Sequence, residues 1–452
     1  MLSIINQQTT SKSEKYRRHL SNVLLVIYFL VIFEGVLRKW VLPSFSSAIY
    51  FIKDPIVIYV LIVSLRFGFF SKNLISIYFI FVATTFFLVV TAFLLNNPEA
   101  FIIYGYGIRN YLLYFPLVFV ASKVLKLEDV YRFARLTLYS AIPICILVFI
   151  QYTSGPDAFI NKGIGDDDFI FMIAEGVVRP YGTFTFTSGH VLYVSACFAF
   201  LVAAIFEKQM YAAIFSKNHL LFVTTGAAVA IMLFLTGSRS IYAYSAITLL
   251  MACLVAVTKK SRRNISALAF LAIALTSSIL VFLTTDSYEI LVERNQSAIR
   301  SEGSPIARAF SSLYTFTDSI DTAPLWGHGI GSGTNAASAI LRSSRDQGAG
   351  FLLAEDEWSR IVLEMGLPVG MIFILFRILL LLWLFLKSLN TLKKFSNGVP
   401  LILLGFLAPI LFNGVMTMQG TTLAFGVLFS CLVLAACKNP KTHIKNATGQ
   451  TT

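Results

Sequence analysis

The chain has 452 residues, of which 57% are hydrophobic and 13% charged, with 41 phenylalanines and a net charge of +13. A soluble globular protein carries roughly 25% charged residues, so neither a soluble enzyme nor a disordered chain fits this composition. The apolar surplus lies in long runs, which marks an integral membrane protein.

A spanning helix needs roughly 17–25 mostly apolar residues. Runs of that kind fall near 22–37, 48–66, 74–95, 103–122, 135–153, 189–206, 219–236, 240–257, 265–283, 360–386, 399–416 and 419–437, about twelve in all. Lys53-Asp54-Pro55 interrupts the second. The first follows basic residues but continues through Phe33-Glu34-Gly35 to Arg38-Lys39-Trp40 without an A-x-A-like cleavage site, so it reads as a retained anchor. The expected fold is all-α.

Charge sets the orientation. The loops on one side and both tails carry 22 of the 36 basic residues and only four acids, Glu14, Glu128, Asp129 and Glu207. The positive-inside rule puts that side, with both termini, in the cytoplasm. The basic balance is thus topology, and nucleic acid is not a partner. The five cysteines sit in or at the ends of apolar runs with no C-x-x-C pair, which indicates packing rather than zinc or disulfides.

Two outer connections are long, 154–188 and 284–358, and together they hold 15 of the 23 acidic residues. Loops of such length are functional or disordered; the second is expected to be partly helical and packed on the bundle's outer mouth. The division is a cytoplasmic tail 1–21, membrane helices 22–153, a first external loop 154–188, helices 189–283, a second external loop 284–358, helices 359–437 and a tail 438–452. No internal repeat is visible, so an inverted-repeat transporter gains no support.

Charges within or at the ends of spans need a reason, because each costs at least about 2.5–3.5 kcal/mol to insert. Arg109 follows Tyr104-Gly105-Tyr106-Gly107-Ile108, Arg239 sits in the turn Thr236-Gly237-Ser238-Arg239, and Arg179 opens Arg179-Pro180-Tyr181-Gly182-Thr183-Phe184. All three lie at expected outer ends of spans. Interfacial snorkelling is the plain alternative, but three arginines at one depth beside glycine turns suit a phosphate or diphosphate ligand, which the guanidinium fork matches. Arg294, Arg300 and Arg308 in the second loop are further candidates, against the reading of ordinary solvated charge.

Glu357, Arg360 and Glu364 fall at i, i+3 and i+7, one face of a helix starting near Glu355. That face is either an ion-paired ladder or part of a site, and Glu355, outside the ladder, is the better candidate for a general base. The glycine-rich Gly327-His328-Gly329-Ile330-Gly331-Ser332-Gly333 reads as a tight loop rather than a nucleotide loop. Asp166-Asp167-Asp168 reads as a solvated patch before a metal site. His190 and His328 have no metal-ligand partners at recognisable spacing, and Arg377 is expected to reach the interface or a buried partner.

Four segments together carry a resemblance: Arg179 to Phe184, Thr236-Gly237-Ser238-Arg239, Pro324-Leu325-Trp326-Gly327-His328-Gly329-Ile330-Gly331, and Ala354 to Gly366. Over roughly 175–390 the chain resembles the O-antigen ligase/polymerase superfamily of bacterial membrane glycosyltransferases. The resemblance implies an enzyme of the bacterial cytoplasmic (inner) membrane that uses a polyprenyl-diphosphate-linked glycan donor, works at the outer face, inverts the anomeric carbon and requires neither metal nor nucleotide cofactor. It implies that Arg179 and Arg239 hold the diphosphate; Arg109, Arg294, Arg300, Arg308 and Arg360 are further candidate substrate contacts by their positions alone. The acceptor is a second lipid-linked glycan in polymerases or lipid A core in ligases, and other polysaccharide-assembly proteins are possible partners. Ligases carry a His-Asn-like pair where this chain has Glu355-Asp356, which favours a Wzy-type polymerase of O-antigen or exopolysaccharide repeats with Glu355 as base. A ligase, and in a different class a lipid-linked oligosaccharide transporter, are the alternatives.

Overall fold

The computed structural model describes residues 2–70, 101–164, 172–174, 177–216, 218–261, 265–266, 269, 315–334, 354 and 356–438. The spans expected at 74–95 and 265–283 and much of both long loops lie outside these residues. Within them the chain is helical, with a single two-stranded antiparallel ribbon, β1 Met172–Ala174 and β2 Val177–Val178.

The helices are α1 Leu2–Val36, α2 Ser46–Tyr50, α3 Lys53–Arg66, α4 Phe101–Ile108, α5 Pro116–Val124, α6 Leu127–Thr153 and α7 Thr187–Phe206. They continue as α8 Lys208–Phe215, α9 His219–Leu235, α10 Arg239–Lys259, α11 Glu357–Met365, α12 Leu367–Phe395, α13 Val399–Asn413 and α14 Gly420–Ala436. Among the described residues six helical segments are long and apolar enough to cross a membrane, or seven if the bent pair α8–α9 is taken as one. The six are 13–41, 43–66, 127–153, 187–206, 239–259 and 367–395. α13 and α14 are apolar but shorter.

Two expected spans are discontinuous. The run 103–122 breaks into α4, a π-helical turn Arg109–Leu113, and α5, which begins at Pro116. A proline has no N–H for the preceding turn and fits the first helical position, so the helix restarts there. The run 360–386 is split at Gly366, whose φ of +75° only glycine adopts without strain. α11 therefore stands apart from the span α12.

α7 lies at the centre. It is buried on all sides, against α6, α9, α10, α13 and α14. Ala196, Ala199, Ala203 and Ala204, all at 0% exposure, let neighbouring helices come close. α14 is buried throughout as well, with Phe425 and Phe429 packed on Phe406 of α13. Apolar residues on every face are what a helix inside a membrane bundle needs.

Charge pairing gathers the basic loops at one end. Arg17 donates to Asp129 at 3.2 Å and to the Val124 carbonyl at 2.8 Å. Lys126 reaches Glu14 at 3.1 Å, and Lys438 donates to the Leu125 carbonyl at 2.6 Å. Glu207 pairs with Lys259 and accepts from the Gly398 N–H at 2.6 Å. Because α7 ends at this pole and α10 does too, their first residues, Thr187 and Arg239, lie at the opposite pole. α13 and α14, running away from Gly398 and back to Lys438, put Asn413 to Gly420 there as well. Four of the cysteines are buried and Cys253 is exposed; all five are free thiols.

Candidate functional site

The segment Arg179 to Phe184 is bound into the bundle by its backbone. Gly182, with φ +55°, exchanges hydrogen bonds with Gln151 of α6: its N–H donates to Oε1 at 2.8 Å, and Gln151 Nε2 donates to its carbonyl at 3.3 Å. Lys39 Nζ donates to the same carbonyl at 2.9 Å while lying 4.2 Å from the centres of the Trp40 and Tyr181 rings. Thr183 donates to the Ile32 carbonyl at 2.6 Å. Gly35 makes this docking possible, because a Cβ there would meet the backbone of Thr183 and Phe184. Sequence reasoning attached no role to Gly35, Lys39 or Gln151, since their contacts lie more than a hundred residues away or, for Gln151, across a loop.

Arg179 extends from that anchored segment to the turn between α9 and α10, where its Nε donates to the Thr236 carbonyl at 3.3 Å. The turn passes through Gly237 at φ +54° and Ser238, the N-cap of α10, to Arg239, the exposed first residue of that helix. The structure thus brings Arg179 to within one short turn of Arg239, two arginines 60 positions apart. Free N–H groups at a helix start carry a partial positive charge. Arginine beside such a start is an arrangement that attracts an anion.

α7 begins at the same pole, and Ser188 in its first turn donates to Gln419 Oε1 at 2.8 Å, beside the start of α14. The starts of α7, α10 and α14 therefore lie at one pole. Arg109, 6% exposed, is at the edge of α14: its Nε donates to Asp54 at 2.6 Å and its Nη1 to Tyr50 Oη and Asn110 Oδ1, both at 3.1 Å. Tyr114 donates to the other Asp54 oxygen at 2.6 Å. Close by, Glu34 is paired with Lys53 and Arg38.

The face of Glu357, Arg360 and Glu364 is wholly buried. Glu357 accepts from Arg377 at 2.7 Å and from the N–H and hydroxyl of Thr417, each at 3.0 Å. Arg377 also donates to the carbonyls of Leu411, Ile410 and Gly414, at 3.1, 2.8 and 2.9 Å. The last carbonyls of a helix have no partner within it, and Arg377 supplies one at the end of α13. Arg377 thus has the buried partner that was one of its two expected destinations.

Glu364 holds the glycine-rich loop, accepting from the N–H groups of Gly331 and Gly333 at 2.9 and 2.8 Å. Gly327, Gly329 and Gly331 have φ of +71°, +98° and +88° and lie against α11, Tyr104 and α4. This is a tight loop wedged between two helices. Burial pushes the Glu364 carboxyl up to about 7, against the pull of those two N–H groups. Burial also holds the His328 imidazole below its ordinary range. Arg360 lies beneath Gly333, with Nη2 on the Ala354 carbonyl and Glu357 at 3.9 Å. It is buried beneath the glycine-rich loop.

Glu355, Arg294, Arg300, Arg308 and Asp166-Asp167-Asp168 lie outside the described residues. Among the described residues no group of three or more His, Cys, Asp or Glu is placed to hold a metal ion. His190, fully buried on α7, packs beside Gly182 with neither ring nitrogen hydrogen-bonded.

The described helices are those of a polytopic membrane protein, with Arg179 and Arg239 gathered at the pole opposite the basic loops. Residues 221–374 match the family model described as O-antigen ligase. The match takes in Thr236 to Arg239, Pro324 to Gly331 and Ala354 to Gly366, and it supports the resemblance to the O-antigen ligase/polymerase superfamily that those motifs carry. No curated protein matches the chain.

Proposed function

We propose that the chain is a membrane glycosyltransferase that polymerises polyprenyl-diphosphate-linked repeat units at the outer face of the bacterial cytoplasmic membrane. The observation that carries this reading is the meeting of Arg179 with the Thr236–Arg239 turn at the start of α10. Two guanidinium groups and a helix start supply charge-assisted donors for the donor diphosphate, which is the leaving group. Their cost is paid before the reaction, since Gln151, Lys39 and Ile32 already fix the segment that carries Arg179.

In this mechanism an acceptor hydroxyl attacks the anomeric carbon of the donor from the face opposite the diphosphate. The new glycosidic bond forms as the carbon–oxygen bond to the diphosphate breaks, with inversion, and Arg179 and Arg239 bind the charge that develops on the departing oxygen. Glu355, one residue ahead of the α11 N-cap Asp356, is assigned the acceptor's proton. The Glu357–Arg377 pair and the loop bound to Glu364 fix α11 in the bundle.

The family description favours one second reading, an O-antigen ligase that passes the finished glycan to lipid A core. Deleting the gene distinguishes the two. Loss of a polymerase leaves single repeat units on the lipid carrier, whereas loss of a ligase leaves full-length polymer stranded there. In the same cells Arg239→Ala and Arg179→Ala are expected to reproduce the deletion, and normal polymer from both variants overturns the arginine mechanism.

A further inference from the structure

We propose that the mouth contains a second anion subsite, formed by the N-terminus of α14 with Arg109 as its wall, that takes the phosphate or diphosphate headgroup of a second lipid-linked substrate molecule. The identity of that molecule rests on the glycosyl-transfer reading; the anion site itself does not.

The start of α14 is an uncapped helix end. Its first intrahelical bond runs from Leu423 N–H to the Gln419 carbonyl, which leaves the N–H groups of Gly420, Thr421 and Thr422 outside the ladder. The N-cap residue Gln419 makes no side-chain cap; its Oε1 accepts instead from the hydroxyls of Ser188 at 2.8 Å and Thr422 at 3.1 Å. A helix of 17 residues therefore presents its positive end without a side-chain cap from Gln419.

Arg109 supplies the independent observation. It is 6% exposed, its Nε and Nη1 are occupied by Asp54, Tyr50 and Asn110, and its Nη2 has no hydrogen-bond partner among the described residues. That guanidinium faces Gly420: a Cβ at Gly420 would stand 3.2 Å from Nη1, 3.6 Å from Nη2 and 3.2 Å from Tyr50 Oη. A buried donor without an acceptor is costly, and an unfilled guanidinium nitrogen beside a helix N-terminus places two positive ends together. Asp54 compensates the arginine only from the Nε side, and Glu34 is already shared by Lys53 and Arg38. An anion between Nη2 and the α14 N–H groups completes all of them.

The subsite is separate from the Arg179–Arg239 turn in its residues but joined to it through Ser188 and Gln419. A transferase that couples two lipid-linked glycans must hold two anionic headgroups at once, one leaving and one retained. Arg179 and Arg239 serve the leaving one, and Arg109 with α14 serves the retained one.

The test counts headgroups. Radiolabelled polyprenyl diphosphate without a glycan is titrated onto the full chain in nanodiscs of zwitterionic lipid. Two molecules per chain are expected for the wild type, and one each for Gly420→Ala and Arg239→Gln, with the lost site weakened by at least about tenfold. Gly420→Ala keeps every charge and fills the space against Arg109, so it carries the result if Arg109→Gln fails to fold. Inorganic pyrophosphate is the competitor: poor displacement assigns the subsite to a lipid headgroup, and displacement at matched concentration assigns it to the free anion. One molecule per chain in the wild type, or two that survive Gly420→Ala, overturns the subsite. A full count with no chain growth on glycan-bearing lipid would instead remove the glycosyl-transfer reading.

Discussion

Glu357 of α11 and Arg377 of α12 meet at 2.7 Å across the break at Gly366, and neither is more than 1% exposed. The pair ties the short helix to the span that follows and, through Arg377, to the end of α13. Removing one partner of a buried pair leaves the other charge without compensation and costs about 3–5 kcal/mol. Arg377→Met and Glu357→Gln are each expected to lower the thermal midpoint in detergent sharply. The double variant should lose less than the sum of the two, as measured by a double-mutant cycle.

Gly366 has φ +75° and ψ 162°, backbone that side chains rarely adopt, and a Cβ there would run into the Leu325 carbonyl. Gly366→Ala is expected to cost about 1–3 kcal/mol from backbone strain alone, with a further cost from displacing the 324–327 turn. The measurement is unfolding in detergent beside chain growth. The proposal expects activity to fall more than stability, because the start of α11 moves.

Gln151 is a positioning residue in this account. Gln151→Ala removes both bonds to Gly182; the carbonyl keeps Lys39, and the N–H left unpaired costs about 1–3 kcal/mol. It is expected to lower turnover by displacing Arg179. Gln151→Glu keeps the acceptor for the Gly182 N–H and should recover part of the loss, which a merely weakened fold would not show.

Glu364 sets a pH dependence. Its carboxyl is raised to about 7 in the folded chain, so the folded state binds a proton that the unfolded state has already released. The stability from this group is present below the ordinary carboxylate range and is lost as pH rises through about 7. Melting temperatures should fall between pH 5 and 8 beyond any trend in Glu364→Gln; identical slopes would contradict the assignment.

Much of the bundle is legible in the sequence because hydropathy reports what a long run is made of. The runs around 22–37, 135–153, 189–206 and 240–257 correspond to α1, α6, α7 and α10. Composition cannot report a break inside an apolar run, so the turn at Arg109 and the split at Gly366 go unseen, although Pro116 and Gly366 mark them. The basic loops also come together where the charge count expects them, as Arg17, Lys126 and Lys438 show at the Asp129 end.

The site was legible in part. Arg179 and Arg239 are recognisable beside their glycines, but that they share one turn depends on Gly35 and Gln151, whose roles exist only in three dimensions. The i, i+3, i+7 spacing puts Glu357, Arg360 and Glu364 on one face, but the burial of Arg360 under Gly333 follows from a loop that no spacing rule predicts. Glu355 precedes the α11 N-cap Asp356 in the sequence and lies outside the described residues.

The central claim is that two arginines from distant motifs act together on a lipid diphosphate. The most direct measurement incubates purified protein with lipid-diphosphate-linked repeat units alone, with no lipid A, nucleotide or added metal, and resolves the glycans on a gel. The account predicts a ladder of increasing repeats for the wild type and single repeats for Arg179→Ala and for Arg239→Ala. A ladder of unchanged length in both variants would contradict it.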